Sequence, residues 1–362
     1  MISISPAQFG MLTFVTRISL VIVRLPTLKL IPKGPDAWIA ILLGSLFGNL
    51  MLWVLLRQAA VRPQFTPIER LQSAFGPVAG AIAGVCYLLL FLYDTMVSTR
   101  MYAGLLVSQP MPETPTEAFV FMLIFAAAYA AWKGPEVVAR VGEFMTPLIF
   151  LGLAVVLVFG INQMDPRSLK PVLAYGWGQV LRAALFSTFV HVELAALLMF
   201  VPLVRDPRRM VRAGVLGSLS AGMVTVVAAA CLIMFYGAPR TQRLVFPLYD
   251  MARAITFADF FERIDALFVF AWTAGSFIKV ALLLWALAYG MGQLLGVKNW
   301  RALIRPLALL TGFVAMRVYA NQAEVRILTS PQVYTFIALP FLVLFPLALA
   351  LAEALRPGGR AQ

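Results

Sequence analysis

Four charged residues stand in the middle of long apolar runs: Arg17, Asp94, Glu193 and Lys279. A charge held unpaired at the centre of a bilayer costs about 2.5–3.5 kcal/mol or more. Such residues must therefore face a cavity, a partner or a ligand. Two are positive and two negative, so they are able to neutralise one another. The chemistry they offer is recognition of a polar or zwitterionic solute, replacement of a bound cation by a fixed charge, or proton relay. His191, the only histidine, precedes Glu193 by two residues, and a hydrogen-bonded interior role and a ligand-contacting or proton-linked role are both open to it. Four further charges, Arg24, Arg100, Glu143 and Arg182, lie near the ends of their runs, where long side chains snorkel to the interface.

The elements that carry these residues are membrane spans. The chain has 362 residues, 61% of them hydrophobic and 12% charged, with a formal net charge of +13. A soluble domain is about 45–50% apolar and about 25% charged. Soluble enzymes, disordered tails and disulfide-stapled secreted domains are excluded, and nothing in the composition calls for nucleic acid. Cys86 and Cys231 sit in apolar runs with no metal spacing and read as small hydrophobes. No nucleophile–base pair, phosphate loop, metal site or cofactor motif is present, so no enzyme is expected. No basic segment precedes the first apolar run, so no cleavable signal peptide is expected.

Ten runs are long and apolar enough to cross a bilayer: 6–29, 36–56, 77–104, 116–132, 134–161, 177–204, 211–237, 265–296, 302–319 and 332–355 (spans 1 to 10). Thr66-Pro67-Ile68-Glu69 predicts a capping box opening a short interfacial helix. Between spans 7 and 8, the stretch 238–264 carries Leu248, Met251, Ala252 and Ile255 at i, i+3, i+4 and i+7, which predicts a surface helix lying as a lid over the bundle. Fourteen of the 29 Lys and Arg residues fall in segments that face inside if both termini are cytoplasmic, and ten fall outside. That bias favours the orientation and places most of the basicity against anionic lipid.

Spans 1 and 6 share a pattern. Arg17 lies nine residues before Pro26, and Glu193 nine before Pro202. Each charge sits among polar groups: Thr13, Thr16 and Ser19 in span 1, Ser187, Thr188 and His191 in span 6. Corresponding interrupted segments in two halves point to a transporter-type site. The expected organisation is one transmembrane domain over 1–362 made of two five-span repeats, 6–161 and 177–355, with spans 1 and 6 broken near the midplane.

The chain also resembles a known family. Ile4-Ser5-Pro6-Ala7-Gln8 at the start, Asp36-Ala37-Trp38-Ile39 opening span 2 and Ser168-Leu169-Lys170-Pro171-Val172-Leu173 before span 6 are similar to segments of the B subunits of bacterial spore germinant receptors. These form the spore-permease branch of the amino acid–polyamine–organocation superfamily. Glu193 ahead of Pro202, Phe246-Pro247, Phe260-Phe261-Glu262-Arg263-Ile264-Asp265 and Trp272 extend the likeness. The resemblance implies an all-α, ten-helix, LeuT-like inverted-repeat fold. It further implies a small nutrient ligand, often an amino acid, and a complex with an A subunit and a lipoprotein C subunit in the spore inner membrane. One departure stands out: Thr16-Arg17-Ile18-Ser19 replaces the family's small, Gly-containing break in span 1. In sodium-independent members of the superfamily a fixed Lys or Arg stands in for a bound cation, a role open here to Arg17 or Lys279 paired with Glu193 or Asp94. The ligand-contacting residues expected are Thr16, Arg17, Ile18, Ser19, Tyr93, Asp94, Ser187, Thr188, His191 and Glu193. Three uses of that site remain: a nutrient sensor acting through partner subunits, a proton-coupled or sodium-independent amino acid permease, and a scaffold whose charges only pair off.

Overall fold

Backbone N–H and C=O groups in lipid have to be satisfied within the chain, which leaves helices as the economical solution for continuous apolar runs. The computed structural model of the chain describes residues 3–24, 35–255, 264–318 and 330–355, and these are almost wholly helical. Among them there is no strand, only an isolated bridge between Ile4 and Val204.

The helices follow the ten predicted spans. They are α1 (Pro6–Arg24), α2 (Ala37–Val61), α3 (Pro67–Ser108), α4 (Thr116–Lys133), α5 (Pro135–Phe159), α6 (Trp177–Phe189), α7 (Pro207–Tyr236), α8 (Ala238–Thr241), α9 (Pro247–Ala254), α10 (Ile264–Leu295) and α11 (Arg301–Val318). The last span is built from Pro331–Leu339, a π-helical turn Pro340–Leu344 and Phe345–Ala354. Eight of the helical segments among the described residues are long and apolar enough to cross a membrane. The helices of spans 1 and 9, α1 and α11, are the two outside that set.

Local sequence explains the ends and the bends. Thr66 caps α3 by accepting from the Glu69 backbone N–H, while the Glu69 side chain accepts from the Thr66 N–H at 2.8 Å. The helix bends at Gly76, whose φ of 83° is a left-handed value that favours glycine. Pro77 then restarts it as span 3. The piece before the bend is the short helix that the capping box predicts.

Spans 1 and 6 occupy the centre. The membrane window of span 6 is 89% buried within the protein, whereas that of the last span is 22% buried. α1 packs most extensively on α7, and α6 on α2, an exchange of partners between the two halves that matches an inverted repeat. Both contacts are close: a Cβ at Gly217 of α7 would strike the Gly10 carbonyl of α1, and one at Gly44 of α2 would strike Ser187 of α6. Large apolar side chains such as Phe47, Ile82, Phe144 and Leu351 face outward, as they do against lipid.

The two central spans are interrupted differently. Span 6 changes register at Val190, where the α-helix gives way to a 3₁₀-helix running to Leu203 through Pro202. Runs of 3₁₀ longer than three or four residues are uncommon and mark hinges or strain. In span 1, α-helical structure continues through Thr16, Arg17, Ile18 and Ser19 to Arg24. Two of the polar side chains beside Arg17 bond back into the helix: Thr13 Oγ1 donates to the Phe9 carbonyl at 2.8 Å and Ser19 Oγ to that of Val15 at 2.6 Å. Pro26 lies outside the described residues.

The 238–264 stretch holds a helix, α9, where the apolar spacing predicts one. Leu248, Met251, Ala252 and Ile255 are all buried, against α1, α7 and α10. Phe260, Phe261, Glu262 and Arg263 lie outside the described residues.

Candidate functional site

α3, the 3₁₀ half of span 6 and α10 converge on one buried ionic cluster. α10 places the Lys279 ammonium 2.8 Å from Glu193 Oε2 and 3.2 Å from Asp94 Oδ1. All three side chains are at most 3% exposed. Ser98, one turn after Asp94 on α3, donates its hydroxyl to Asp94 Oδ1 at 3.4 Å. Tyr334, from the last span, donates to Glu193 Oε1 at 3.5 Å. Its ring also meets those of Tyr93 and Phe186, with centroids 6.2 and 6.3 Å away.

Arg17 completes the charge balance from α1. It is 1% exposed and interacts electrostatically with Glu193, Tyr334 and His191, yet forms none of the ion pairs found among the described residues. Its Nε and Nη1 meet no hydrogen-bond acceptor, and neither does Asp94 Oδ2 meet a donor. Lys279 is thus the cation in direct contact with both acids, and Arg17 is a second, less engaged one. Two bases and two acids leave the cluster formally neutral.

The remaining predicted residues face elsewhere. A helix of three residues per turn puts positions two apart about 240° around the axis, so Glu193 and His191 point in different directions. Glu193 meets Lys279, while His191 meets α2. A Cβ at Gly48 would fall within the His191 ring, so only glycine admits the imidazole there. His191 Nδ1 lies 3.1 Å from the Thr188 carbonyl and 3.3 Å from that of Ser187, and its buried Nε2 has no partner. Thr188 donates to the Ala184 carbonyl at 2.9 Å. Ile18 and Ser19 line a cavity of about 10 Å³ with Ile149, Phe268, Trp272 and Gly275, on the α5 and α10 side of span 1. Thr16 is fully buried and its hydroxyl has no partner.

Sequence reasoning did not pick out Tyr334, Ser98, Gly44 or Gly48. Gly44 and Gly48 form a small-xxx-small pair, a pattern that marks close helix approach in membranes. Ser98 follows Asp94 by one helical turn. Tyr334 had no signal beyond being a tyrosine in an apolar span.

Among the described residues, contacts between segments tie the bundle at both ends. At the end that carries the N-terminus, the Ile4 N–H donates to the Leu203 carbonyl at 2.8 Å, Thr66 Oγ1 bonds Gln293 Oε1 at 3.0 Å and Arg70 Nη2 pairs with Glu353 at 2.8 Å. At the opposite end the Leu173 N–H donates to Asp36 Oδ1 at 2.8 Å, and α9 packs against α1, α7 and α10. A cavity needs roughly 10–15 Å³ to hold one water, so the 10 Å³ space beside Ser19 admits no larger solute. Among the described residues no group of three or more His, Cys, Asp and Glu is placed to hold a metal ion.

Comparisons with known proteins return the same helical fold. Solved structures share the fold: MhsT in complex with L-phenylalanine, at a TM-score of 0.67 and 14% identity over 96% of this chain and 89% of that one, and Mhp1, at 0.66 and 13% over 94% and 79%. The architecture is therefore LeuT-like. Among curated proteins, spore germination protein KB of Bacillus subtilis (strain 168) is 29% identical over 321 residues, covering 87% of this chain and 86% of the relative. Spore germination protein YndE of the same organism is 22% identical over 320 residues, covering 86% and 87%. The relatives are spore germination proteins, and a solved structure that shares the fold, Mhp1, is a transporter rather than an enzyme. The model of the spore permease family, described as spore germination protein, matches residues 3–325, and the chain belongs to that family.

Proposed function

We propose that this chain is the transporter-like sensor subunit of a spore nutrient germinant receptor. In this reading it binds a small nutrient, an amino acid, between spans 1, 3, 6 and 8, and passes the resulting closure to partner subunits. The A subunit and the lipoprotein C subunit are the partners, in the spore inner membrane with both termini cytoplasmic. The two repeats are 6–161 and 177–355, with 238–264 as the lid.

The observation that carries the reading is the pair of unfilled valences at the cluster. Arg17 offers two donors without acceptors and Asp94 an acceptor without a donor, within one buried, neutral group of charges. A zwitterionic amino acid brings a carboxylate for the first and an ammonium for the second. A fold neighbour was solved with L-phenylalanine bound, which supports an amino acid as the class. Ligand shifts the equilibrium between open and closed forms only through its differential affinity for the two, and the 3₁₀ stretch from Val190 supplies a hinge beside Glu193.

The test is Glu193→Ala in germinating spores. The nutrient response is expected to be lost while the protein remains in the membrane at wild-type level. A normal response removes Glu193 from the site. A second reading, a proton-coupled or sodium-independent permease, draws on Lys279, whose ammonium holds Glu193 and Asp94 as a bound cation would. Uptake by proteoliposomes separates the two: pH-driven accumulation of an amino acid overturns the pure sensor.

A further inference from the structure

A sizeable cavity lies away from the charge cluster, between α4 and α11. It measures about 420 Å³ and is lined by Phe125, Ala128, Tyr129, Trp132, Ile304, Arg305, Ala308 and Leu309. Its wall is apolar and aromatic except at Arg305. Phe125, Tyr129, Trp132 and Leu309 are all exposed, so the groove opens on the surface that faces lipid.

One end of this groove is basic. Arg305 is exposed and makes no hydrogen bond or ion pair among the described residues. One turn before it, Arg301 Nε donates to the Trp132 carbonyl at 3.2 Å and ties the start of α11 to the end of α4. The Lys133 ammonium lies over the Tyr129 and Trp132 rings, 5.3 and 5.2 Å from their centroids. The nearby acid Glu136 is already engaged by Arg140 at 2.6 Å. Among the described residues, three cations therefore stand at the mouth without an ion-paired carboxylate. The aromatic residues beside them are of the kind that settle at headgroup depth. From that mouth the groove follows α4 back to Phe125, two turns or about 10 Å into the apolar layer.

We propose that this groove is a binding site for an anionic membrane phospholipid. One acyl chain lies along Phe125, Ala128, Ala308 and Leu309, and the phosphate is held by Arg305 with Arg301 and Lys133 beside it. A guanidinium fork matches phosphate oxygens in geometry as well as charge, and basic pockets between helices are the usual seats of anionic headgroups. A zwitterionic lipid fits the apolar part equally well but carries an ammonium toward the three cations, so charge selects the occupant. The lipid would strap α4 to α11, two helices on the outside of the bundle that touch each other and α10.

The test uses the full chain purified in detergent, with native mass spectrometry counting lipids retained from equal mixtures of phosphatidylglycerol and phosphatidylcholine. The wild type is expected to retain phosphatidylglycerol several-fold over phosphatidylcholine. Arg305→Gln is expected to bring that ratio close to one. Ala308→Phe fills the groove and is expected to lower retention of both lipids. Leu309→Asn, on the exposed wall, gives the same loss if Ala308→Phe does not fold. A wild type without preference, an Arg305→Gln ratio equal to wild type, or undiminished retention in the folded groove variant each overturns the site.

Discussion

Lys279 Nζ stands between two carboxylates, 2.8 Å from Glu193 Oε2 and 3.2 Å from Asp94 Oδ1, with none of the three reached by solvent. This one ammonium joins spans 3, 6 and 8 at the centre of the protein. Removing a single member of a buried ion pair leaves an uncompensated charge and costs about 3–5 kcal/mol. Replacing every member by neutral groups of similar volume is often close to neutral. Lys279→Met is therefore expected to lower the melting temperature sharply, and the triple variant Lys279→Met, Asp94→Asn, Glu193→Gln to recover most of the loss. Fluorescence-monitored melting in detergent measures both. A Lys279→Met protein as stable as wild type shows that the pair does not hold the spans together.

The same span 6 segment is locked on its other face by an absence of side chain. Gly48 leaves the space that the His191 ring fills. Overpacking a tight core costs about 1–3 kcal/mol, and Gly48→Ala is expected to fall in that range. Truncating the ring in Gly48→Ala, His191→Ala makes room again, so the double variant is expected to be more stable than Gly48→Ala alone. Additive losses in the two single variants and the double one, seen by melting, show that the two residues do not meet.

What the sequence disclosed follows the range of the interactions. The Thr66–Glu69 capping box and the α9 apolar stripe are set within one or two turns of chain, and both are legible. The buried charges are legible too, because the cost of each in lipid is independent of its neighbours. Their pairing is not. Glu193 is 86 residues from Lys279 and 141 from Tyr334, so only the packed bundle decides that Lys279, rather than Arg17, touches it. The break expected in span 1 rested on the spacing from Arg17 to Pro26, which matches that from Glu193 to Pro202. In the structure the Thr13 and Ser19 hydroxyls bond to carbonyls four residues earlier, and α1 is helical through Arg24. The change to 3₁₀ at Val190 has no single-residue signature, since Pro202 lies twelve positions further on.

At the end that carries the N-terminus, Arg70 is the residue most able to hold the bundle shut. Its Nη2 reaches Glu353 at 2.8 Å and its Nη1 the Gln58 carbonyl at 2.9 Å, so the start of α3, the end of α2 and the last span meet on one side chain. Hydrogen bonds to charged groups contribute about 1.5–3 kcal/mol. Arg70→Gln is expected to raise amide exchange in residues 67–75 and 345–354 while leaving α4 and α5 unchanged. Glu353→Gln is expected to do less, because Arg70 keeps Gln58. Uniform exchange across the protein in Arg70→Gln overturns a local latch.

The helix α9, proposed as a lid, carries a titratable group of its own. Burial raises the Asp250 carboxyl above its ordinary range, against the opposing pull of Arg253 and Arg240. Docked α9 thus holds this proton to a higher pH than released α9 does. The contribution to docking is fully present below about pH 4, where a free aspartate titrates, and is lost as pH rises through the higher value of the docked helix. Protection of residues 247–254 from exchange or proteolysis is expected to increase on acidification through the carboxylate range. Asp250→Asn keeps the neutral form at every pH, so its protection is expected to be flat over the same range. A wild-type lid that tightens as pH rises, or an Asp250→Asn profile that still follows pH, places the titration on another group.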